Sequence, residues 1–513
     1  MSLRTLPRLR NLVAPYEGSY TQIPPFPTIR HRRPGFYLRT FASESLNPAP
    51  NLKKDTTQPN LSQPDLQPAK SSSSSSSSND ASSTTSSSTL DWDENPDLNI
   101  SRFSELPSSD FGYNQHMIIN QEFKEALRQI IWKFRAPVVY AFAYGSGVFP
   151  QSKGPLASNP SPHPSPNQAI STVQRGEGKM IDFIFGVSHS QHWHSLNLTQ
   201  HRDHYSALGS LGSYAVSRVQ DDWGAGVYFN THVIVNGTLI KYGVVHLETL
   251  CRDLSEWDTL YLAGRLQKPV KILRDNPRVR LANQVNLLSA VRTALLLLPV
   301  SFTEKELYRT IASISYMGDM RMSLPTENAN KVANIVDHQL ANFRQLYAPL
   351  IDTLPNVHFR DARCNDPEWK EDPEANVSLE QDMDVVKRGN MVRRLPKAFR
   401  KRLYFEFQSK YQISQKDFQK MLDGTQDESP DRIHRRQGGK FEQKVAADDG
   451  LDREVKDAIR KTIKWPSTTQ SIKGAFTGGI LKSWRYVKEK REKYRDGQKA
   501  NALEENTSEK KDS

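Results

Sequence analysis

Cysteine and long hydrophobic runs are both scarce in this sequence. Its 513 residues include two cysteines, Cys251 and Cys364, which lie far apart and without the spacing of metal ligands. This argues against a disulfide framework and against a zinc site. The apolar run at 294–298 follows Arg292 and ends at Pro299, well short of the ~18–20 apolar residues of a transmembrane helix. We therefore expect it to be a buried helix of a soluble domain.

Negative charge is also in deficit. Lysine and arginine number 69 against 57 aspartates and glutamates, which gives a formal net charge of +12 and a pI of about 9.4. Excess positive charge favours polyanionic partners, namely nucleic acid, nucleotides or an anionic membrane surface, and charge alone does not choose among them. The length allows two or three domains, but the mean hydropathy of −0.65 indicates that much of the chain is not globular.

The first 110 residues have the composition of a targeting segment followed by a linker. Residues 1–45 carry seven arginines and only two acidic residues, Glu17 and Glu44, which is typical of a mitochondrial transit peptide; an untargeted basic tail is the alternative. Residues 46–110 are rich in Pro, Asn and Ser and include an unbroken serine run. Such a stretch buries too little apolar surface to offset its chain entropy, so we expect a disordered linker.

Residues 111–282 mix helix and strand patterns, which predicts an α+β domain with a small sheet. Asn120 is placed to cap a helix. The pair Asn236-Gly237 between two apolar runs predicts a β-hairpin, because both residues accept the positive φ angles of a tight turn. Residues 151–179, rich in Pro and Ser, are expected to form a surface loop inserted in this domain.

The remainder of the chain is predicted to be helical at first and then polar. Residues 283–350 read as a small helical domain, in which Thr303 and Glu306 have the spacing of a capping box. Residues 351–464 are polar and poorly periodic, so we expect a low-complexity insertion. A C-terminal segment follows at 465–495, and residues 496–513 are expected to be a disordered tail.

An apolar stripe edged with cations runs through the C-terminal segment. A helix that carries such a stripe can lie in the headgroup plane of an anionic membrane; a solvated charged helix or a basic tail is the alternative. The predicted membrane-contacting residues are Ile480, Leu481, Trp484, Arg485, Val487 and Lys488.

Two stretches have the chemistry of a metal–nucleotide site. The sequence Gly145-Ser146-Gly147 ends a predicted strand, and glycine permits close backbone approach to phosphate oxygens. Asp182 lies in an otherwise apolar strand, where a carboxylate needs a polar partner or a metal to offset its desolvation. Together they favour a polymerase-like nucleotidyltransferase; a turn without ligand and a structural carboxylate are the alternatives.

Further polar residues suit a phosphate-rich substrate. Lys241, Arg265 and Lys268 would offset the charge of a triphosphate and of the leaving pyrophosphate, although any one of them could be a solvated surface charge. The cluster at 194–197 offers hydrogen bonds to a base, a sugar or a headgroup, although a lone histidine is more often structural.

The motifs resemble those of the mitochondrial CDP-diacylglycerol synthase (phosphatidate cytidylyltransferase) family, the translocator assembly and maintenance proteins. The resemblance extends over about 111–350 and 465–495. Its motifs are YGSGVF at 144–149, DFIFGV at 182–187, HSLN at 194–197, GAGVYFN at 224–230, KYGVV at 241–245, YLAGRLQKPVK at 261–271, SYMGDMR at 315–321 and QSIKG at 470–474.

The resemblance implies an activity and an architecture. The implied reaction joins CTP and phosphatidic acid to give CDP-diacylglycerol and pyrophosphate, with Mg²⁺, on the matrix face of the mitochondrial inner membrane, for cardiolipin synthesis. The implied architecture is a polymerase-beta-like nucleotidyltransferase domain, a helical winged-helix-like domain and a C-terminal amphipathic helix on the anionic lipid surface. No nucleic-acid partner is expected.

The resemblance also implies roles for individual residues. Asp182, Ser146 and Lys241 would be catalytic, and Asp182 would also ligate the metal. Substrate contacts would come from Gly145, Ser146, Gly147, His194, Ser195, Asn197, Tyr242, Arg265 and Lys268.

One position departs from the common nucleotidyltransferase pattern. That pattern has a second carboxylate two residues after the first, but position 184 is isoleucine. A second metal ligand would come from elsewhere, with Asp319 as the candidate and Glu248 as a weaker one, so a two-metal arrangement is in question. Ile184 keeps open a non-catalytic membrane-associated assembly factor. The basic charge and the helical second domain keep open an RNA-directed nucleotidyltransferase.

Overall fold

The computed structural model describes residues 92–93, 98–151, 163–174, 178–323, 330–372, 374–424 and 438–478. All of them belong to one compact unit, Ser86–Ser513. The predicted transit peptide, the membrane-contacting stripe at 480–488 and the tail at 496–513 lie outside the described residues, so these three remain predictions.

A five-stranded mixed sheet, in the order β3-β4-β2-β1-β5, forms the centre of the first half of the described chain. Strands β2 and β4 are parallel and the other neighbours are antiparallel. The predicted hairpin is confirmed, since Asn236 and Gly237 have φ angles of 47° and 70°. The strands are β1 (Tyr140–Tyr144), β2 (Ile181–Val187), β3 (Val227–Val235), β4 (Thr238–His246) and β5 (Lys271–Arg274).

Helices pack around this sheet. The predicted cap of the first helix is confirmed, because the Asn120 side chain accepts a hydrogen bond from the Phe123 amide at 3.0 Å. The buried face of that helix includes Phe123, Leu127 and Ile130. The helices are α1 (Gln121–Trp132), α2 (Gln168–Val173), α3 (Ser190–Gln200), α4 (Gly212–Asp222), α5 (Leu247–Glu256) and α6 (Ala263–Leu266).

A long buried helix leads into a second, mainly helical half. The predicted capping box is confirmed, since Thr303 and Glu306 hydrogen-bond each other's backbone amides. The apolar run near 296 is buried, as expected. The elements are α7 (Pro277–Leu297), β6 (Ser301–Thr303), α8 (Glu304–Ile314), α9 (Lys331–Asp337), α10 (Leu340–Ile351), β7 (Val357–Phe359) and β8 (Ser378–Gln381). The three strands form an antiparallel sheet in the order β6-β8-β7.

The described part of 351–464 differs from the polar insertion that its composition predicts. Its strand β8 pairs with β6 and β7, and the side chains of Phe399, Leu403 and Phe407 are fully buried. Buried charged residues interrupt the apolar pattern by which this core could be recognised in the sequence. Arg388, for example, is buried and donates to the Leu295 and Leu296 carbonyls. The helices are α11 (Val385–Arg393), α12 (Lys397–Lys410), α13 (Gln415–Gly424) and α14 (Lys440–Ala446).

The predicted linker also ends earlier than its assigned boundary at residue 110. Ile100 and Leu106 are buried against Phe111 and Leu281. The few apolar residues that follow the serine run therefore hold this part of the chain in place.

One helix, α15 (Leu451–Gly478), contacts both halves. Ser467 donates to Asp319 Oδ1 at 3.0 Å, and Gln470 donates to the Val227 carbonyl at 3.1 Å. The buried Lys473 ammonium donates to the Val219 and Gln220 carbonyls at the end of α4, and to the carbonyl of Trp223, the residue after α4, at 2.7 Å. Burial lowers the pKa of Lys473 to about 7. Within the described residues, no helix is both long enough and apolar enough to span a bilayer.

Candidate active site

Three side chains lie in one row across the sheet, which we call the central row. Tyr144 on β1 is opposite Asp182 on β2, and Asp182 is opposite Lys241 on β4. Directly opposed residues share a sheet face. Lys241 Nζ lies 3.6 Å from Asp182 Oδ1 and 4.7 Å from the centre of the Phe229 ring. The Asp182 and Lys241 side chains are 26% and 22% exposed, so a solute can reach this pair.

The glycine turn at 145–147 approaches the central row. Gly145 has a φ of 81°, which favours glycine, and its carbonyl accepts from the Val148 and Phe149 amides at 3.0 and 2.9 Å. A Cβ atom on Gly145 would lie 3.5 Å from Asp182 Oδ2. The structure therefore confirms that the turn and the carboxylate meet, and Ser146 beside them is exposed.

The Pro/Ser-rich insertion supports the glycine turn. Gln174 donates to the Gly147 carbonyl at 2.9 Å, and its Oε1 accepts from the Lys179 amide at 2.7 Å and pairs with His163 Nε2 at 3.1 Å. His163 Nδ1 in turn accepts from the Leu239 amide at 2.9 Å. This pattern requires the Nε2–H tautomer of His163. The insertion thus links the hairpin turn to the glycine turn, which its composition did not predict.

We expect Gln174→Ala to loosen the glycine turn. The substitution leaves the Gly147 carbonyl and the Lys179 amide without their partner, so the free energy of unfolding should fall by about 1–3 kcal/mol. Amide exchange at Val148 and Phe149 should accelerate, as measured by hydrogen–deuterium exchange. The control is Gln168→Ala, at an exposed position of α2, the short helix that directly precedes Gln174. Equal exchange rates in both variants would contradict the role of Gln174.

Apolar packing fills the place where a second carboxylate would stand. The Ile184 side chain is fully buried. A Cβ atom on Gly243 would lie 2.8 Å from Ile184 Cδ1 and 2.6 Å from Phe229 Cε1, so Ile184 and Phe229 fill the space above that glycine. A carboxylate at 184 would be desolvated among these groups.

Positive side chains lie beyond Tyr144. Arg265 Nε donates to the Tyr144 hydroxyl at 3.3 Å, and its guanidinium lies 3.9 Å from the centre of the Tyr261 ring. Lys268 donates to Ser315 Oγ at 2.8 Å. The Lys268 and Lys331 ammonium groups lie 5.1 and 5.3 Å from the centre of the Tyr316 ring. We call Arg265, Lys268 and Lys331 the cation cluster.

The charges of the cation cluster shift the pKa of Lys268. Burial, together with the charges of Arg265 and Lys331, lowers the pKa of Lys268 to about 7. An anion bound between these side chains would supply the missing negative charge and stabilise the protonated lysine. The cluster therefore has the electrostatics of an anion site.

A buried aspartate fixes the loop that carries Arg265 and Lys268. Asp253 Oδ1 accepts from the Thr259 amide, the Thr259 hydroxyl and the Leu260 amide at 2.8, 2.8 and 2.9 Å. Its Oδ2 accepts from the Leu262 and Ala263 amides at 2.9 and 3.0 Å. Leu260 has a φ of 56°, which is costly for a residue other than glycine. The carboxylate therefore holds a strained turn directly before α6.

Several predicted substrate residues lie on the other face of the sheet. Tyr242 follows Lys241 and so points to the opposite face, where its hydroxyl accepts from Asn197 at 3.0 Å. His194 is fully buried between the Tyr205 hydroxyl and Gln220 Oε1, each at 2.8 Å, and burial lowers its pKa to about 4. The structure does not bring these side chains to Asp182; it places them in a structural network. Substrate contact by them, and by the exposed Ser195, stays a prediction.

The two candidates for a second metal ligand each bind a cation already. Asp319 accepts from the Arg321 guanidinium and from Ser467, and these hydrogen bonds lower its pKa despite burial. Glu248 forms a two-pronged pair with Arg278 at 2.6 and 2.8 Å. Metal ligation by Asp319 stays a prediction, and the structure shows no contact that brings it to Asp182.

One other group among the described residues has the composition of a metal site. Potential ligand atoms of His201, Asp203 and His204 lie within 4.8 Å of one another. The two imidazole rings are stacked at 4.4 Å with an interplanar angle of 3°, because residues three apart eclipse in a 3₁₀ turn. The nitrogen lone pairs of stacked imidazoles lie in parallel planes, so this arrangement does not direct both rings at one ion.

The chain is similar in sequence to known proteins of one family. The family model described as mitochondrial phosphatidate cytidylyltransferase matches residues 127–493. The chain is 36% identical over 378 residues to the protein of that name from Schizosaccharomyces pombe, covering 73% of this chain and 84% of the relative. The Danio rerio protein is 35% identical over 71% of this chain and 93% of its own length. The Xenopus laevis protein is 46% identical over 230 residues, which cover 44% of this chain and 63% of the relative.

Proposed function

The chain belongs to the family of mitochondrial phosphatidate cytidylyltransferases, and we propose that it transfers the cytidylyl group of CTP to phosphatidic acid. The products are CDP-diacylglycerol and pyrophosphate. The observation that supports this site for the reaction is the central row beside the glycine turn, where Asp182 and Lys241 are both partly exposed.

The reaction needs positioning and charge neutralisation more than it needs acid–base groups. A phosphate oxygen of phosphatidic acid attacks the α-phosphorus of CTP, and the bond from that phosphorus to the bridging oxygen breaks as pyrophosphate leaves. No covalent enzyme intermediate is required. In this proposal the backbone at Gly145 and the hydroxyl of Ser146 bind the β- and γ-phosphates, and Lys241 offsets the charge that develops in transfer.

Asp182 fits a magnesium ion. Mg²⁺ is commonly held by one or two carboxylates plus substrate phosphates and water, and Asp182 offers a partly exposed carboxylate beside the turn assigned to the phosphates. When bound, the ion would neutralise phosphate charge and promote departure of pyrophosphate. The chain itself orients Asp182 in two ways. Lys241 forms an ion pair with the carboxylate, and β2 is held between β1 and β4.

The cation cluster supplies the second anion site that a two-substrate transfer requires. Arg265 connects it to the central row through the Tyr144 hydroxyl. We assign the cluster to the phosphate of phosphatidic acid or to the triphosphate tail, because both are polyanions that would provide the missing counter-charge.

The architecture and location that we propose go with this activity. The order from α7 to β8 is one helix, one strand, three helices and two strands, and its three strands form one sheet. This order supports a winged-helix-like unit, with an additional helix, after a polymerase-beta-like nucleotidyltransferase domain. We propose peripheral attachment to the matrix side of the mitochondrial inner membrane, where the product would enter cardiolipin synthesis. The lipid nature of the substrate and the arginine-rich residues 1–45 support this location.

A direct assay tests the proposal. The purified protein is incubated with labelled CTP and Mg²⁺, with vesicles that contain phosphatidic acid, with RNA, or with neither. Pyrophosphate release that depends on phosphatidic acid, together with labelled CDP-diacylglycerol, is expected. Transfer of label to RNA would indicate an RNA-directed nucleotidyltransferase, and turnover with neither acceptor would overturn the proposal, as would no turnover at all.

We expect anion binding near pH 8 to take up a proton at Lys268. In the free protein the pKa of this lysine is about 7, so the side chain is mostly neutral at pH 8, and a bound phosphate raises that pKa. Affinity for pyrophosphate should therefore fall as pH rises above about 7. The measurement is calorimetric titration in two buffers of different ionisation enthalpy.

Matched variants test whether that proton belongs to Lys268. Lys268→Met should abolish the uptake, whereas Lys464→Met, at an exposed lysine on α15, should leave it unchanged. Because the unfolded chain keeps its proton up to the ordinary value of 10.5, the contribution of Lys268 to the free energy of unfolding should also rise between pH about 7 and that value. Unchanged uptake in Lys268→Met would contradict the assignment.

A further inference from the structure

One buried asparagine is hydrogen-bonded to the beginning, the middle and the end of the loop at 257–268, which carries two members of the cation cluster. Asn286 lies on α7 and is fully buried. Its Oδ1 accepts from Trp257 Nε1 at 2.8 Å and from Gln267 Nε2 at 3.1 Å. Its Nδ2 donates to the Ala263 carbonyl at 3.1 Å. A single side chain on a neighbouring helix therefore fixes three points of this loop.

The partners of Asn286 determine the orientation of its amide group. An indole N–H can only donate and a main-chain carbonyl can only accept, so Oδ1 faces Trp257 and Nδ2 faces Ala263. The second proton of Nδ2 is donated to Asn283 Oδ1 at 3.1 Å. Asn286 thus makes all four hydrogen bonds that an amide side chain can make. Because it is completely paired and buried, its position is sharply defined.

The two cations of this loop take their positions from its main chain. Arg265 donates to the Tyr261 carbonyl, and Lys268 donates to the Gly264 carbonyl, in each case four residues earlier. Both side chains therefore bind carbonyls of the loop itself. The separation of the two positive charges consequently depends on the path of the main chain through 257–268.

We propose that Asn286 is a positioning residue, which sets the separation of Arg265 and Lys268 and so the affinity of the cation cluster for a phosphate group. The inference rests on the proposed function, because that function assigns the cluster to a substrate anion. Asp253 fixes the turn before α6, whereas Asn286 fixes α6 itself and the residue that precedes Lys268. The cations meet the anion, and Asn286 acts through them. Binding groups are held precisely when a layer of fully paired side chains supports them from behind.

Calorimetric titration of the full-length protein with pyrophosphate tests the proposal. Asn286→Ala is compared with Gln381→Ala, which also removes a buried amide. The Gln381 side chain donates to three main-chain carbonyls at and just after the C-terminal end of α7, at 3.0, 2.9 and 2.9 Å. Both variants should unfold at a lower temperature than the parent, because both lose buried hydrogen bonds. Asn286→Ala alone should bind pyrophosphate more weakly, by about tenfold.

Proton uptake gives a second measurement, which loss of stability alone would not change. In the parent, the charges of Arg265 and Lys331 help to lower the pKa of Lys268. In Asn286→Ala the loosened loop lets Lys268 move away from these charges, so its pKa in the free protein should rise. Less proton should then be taken up when pyrophosphate binds at pH 8. Gln381→Ala should show the parental uptake.

A milder variant decides the question if Asn286→Ala does not fold. Trp257→Phe removes one hydrogen bond to Asn286 but keeps an aromatic ring against Phe399, whose centre lies 5.3 Å from that of the indole. Its affinity for pyrophosphate should lie between those of the parent and Asn286→Ala. Parental affinity in whichever of these two variants folds would overturn the inference, as would an equal loss in Gln381→Ala.

Turnover separates this inference from the proposed function. The KM of Asn286→Ala should rise more than its kcat falls, because the substitution weakens the hold on an anion in the ground state and the transition state alike. A parent that binds pyrophosphate but shows no turnover with phosphatidic acid would overturn the proposed activity, and the pyrophosphate titrations would still decide the role of Asn286. A parent that does not bind pyrophosphate would overturn the inference.

Discussion

Asp182→Asn should reduce cytidylyl transfer by at least about a hundredfold, the scale of losing a key electrostatic contact to the reacting phosphates. The amide keeps the shape of the side chain but removes the charge that a magnesium ion would need. It also leaves Lys241, 3.6 Å away, without its counter-charge. We expect kcat to fall more than the affinity for CTP, because the loss concerns charge that develops in the transition state. Steady-state kinetics with vesicle-borne phosphatidic acid provide the measurement.

A surface carboxylate serves as the control for this experiment. Asp222 pairs with Arg218 at 2.8 Å on the outside of α4, and exposed pairs contribute little to stability. Asp222→Asn should therefore have parental activity. Both variants should unfold at nearly the parental temperature, which separates loss of chemistry from loss of fold. Near-parental kcat in Asp182→Asn would remove this carboxylate from the site.

Asp253→Ala should be the most destabilising substitution near the site. The carboxylate accepts five hydrogen bonds from a turn in which Trp257 and Leu260 have positive φ angles. Its removal leaves buried donors unpaired, so we expect the free energy of unfolding to fall by about 3–5 kcal/mol. Denaturant titration measures that change. In the folded fraction, the KM for the substrates should rise because Arg265 and Lys268 lose their fixed loop.

The neighbouring aspartate provides a matched comparison. Asp258 lies in the same turn but pairs with Arg252 at 2.7 Å at the surface, so Asp258→Ala should cost about 1 kcal/mol or less. Asp253→Asn should lie between the two, because one oxygen still accepts while the amide group faces backbone donors. If Asp253→Ala were no more destabilising than Asp258→Ala, the hydrogen bonds of Asp253 would not hold the turn.

Local signals in the sequence predicted local structure well. The cap at Asn120, the hairpin turn at Asn236 and the capping box at Thr303 all depend on residues within four positions of one another, and the structure confirms each. The proximity of Gly145 and Asp182 was also predictable. A strand that ends in glycine and a single carboxylate in a neighbouring apolar strand are both explained by one shared metal–nucleotide site.

Long-range contacts account for what the sequence did not predict. Gln174 and Lys473 bind main-chain carbonyls, and a carbonyl has no sequence signature. Tyr144, which joins the central row to the cation cluster, could have been found, because it belongs to the same short motif as Ser146. In 351–464 the polar surface residues outnumber the core positions, so the buried Phe399 and Leu403 do not form a recognisable repeat. Their partners lie in elements far away in the chain.

The late position of α15 (Leu451–Gly478) in the chain has a consequence for how the protein reaches its native state. Gln470 and Lys473 close contacts with residues 243 and 254 positions earlier. Loops of that length form slowly and late. We therefore expect a chain that emerges from its N-terminus, during synthesis or during transport, to remain incompletely folded around β3 and α4 until α15 has emerged. A transiently exposed strand edge at β3 would then need chaperone protection.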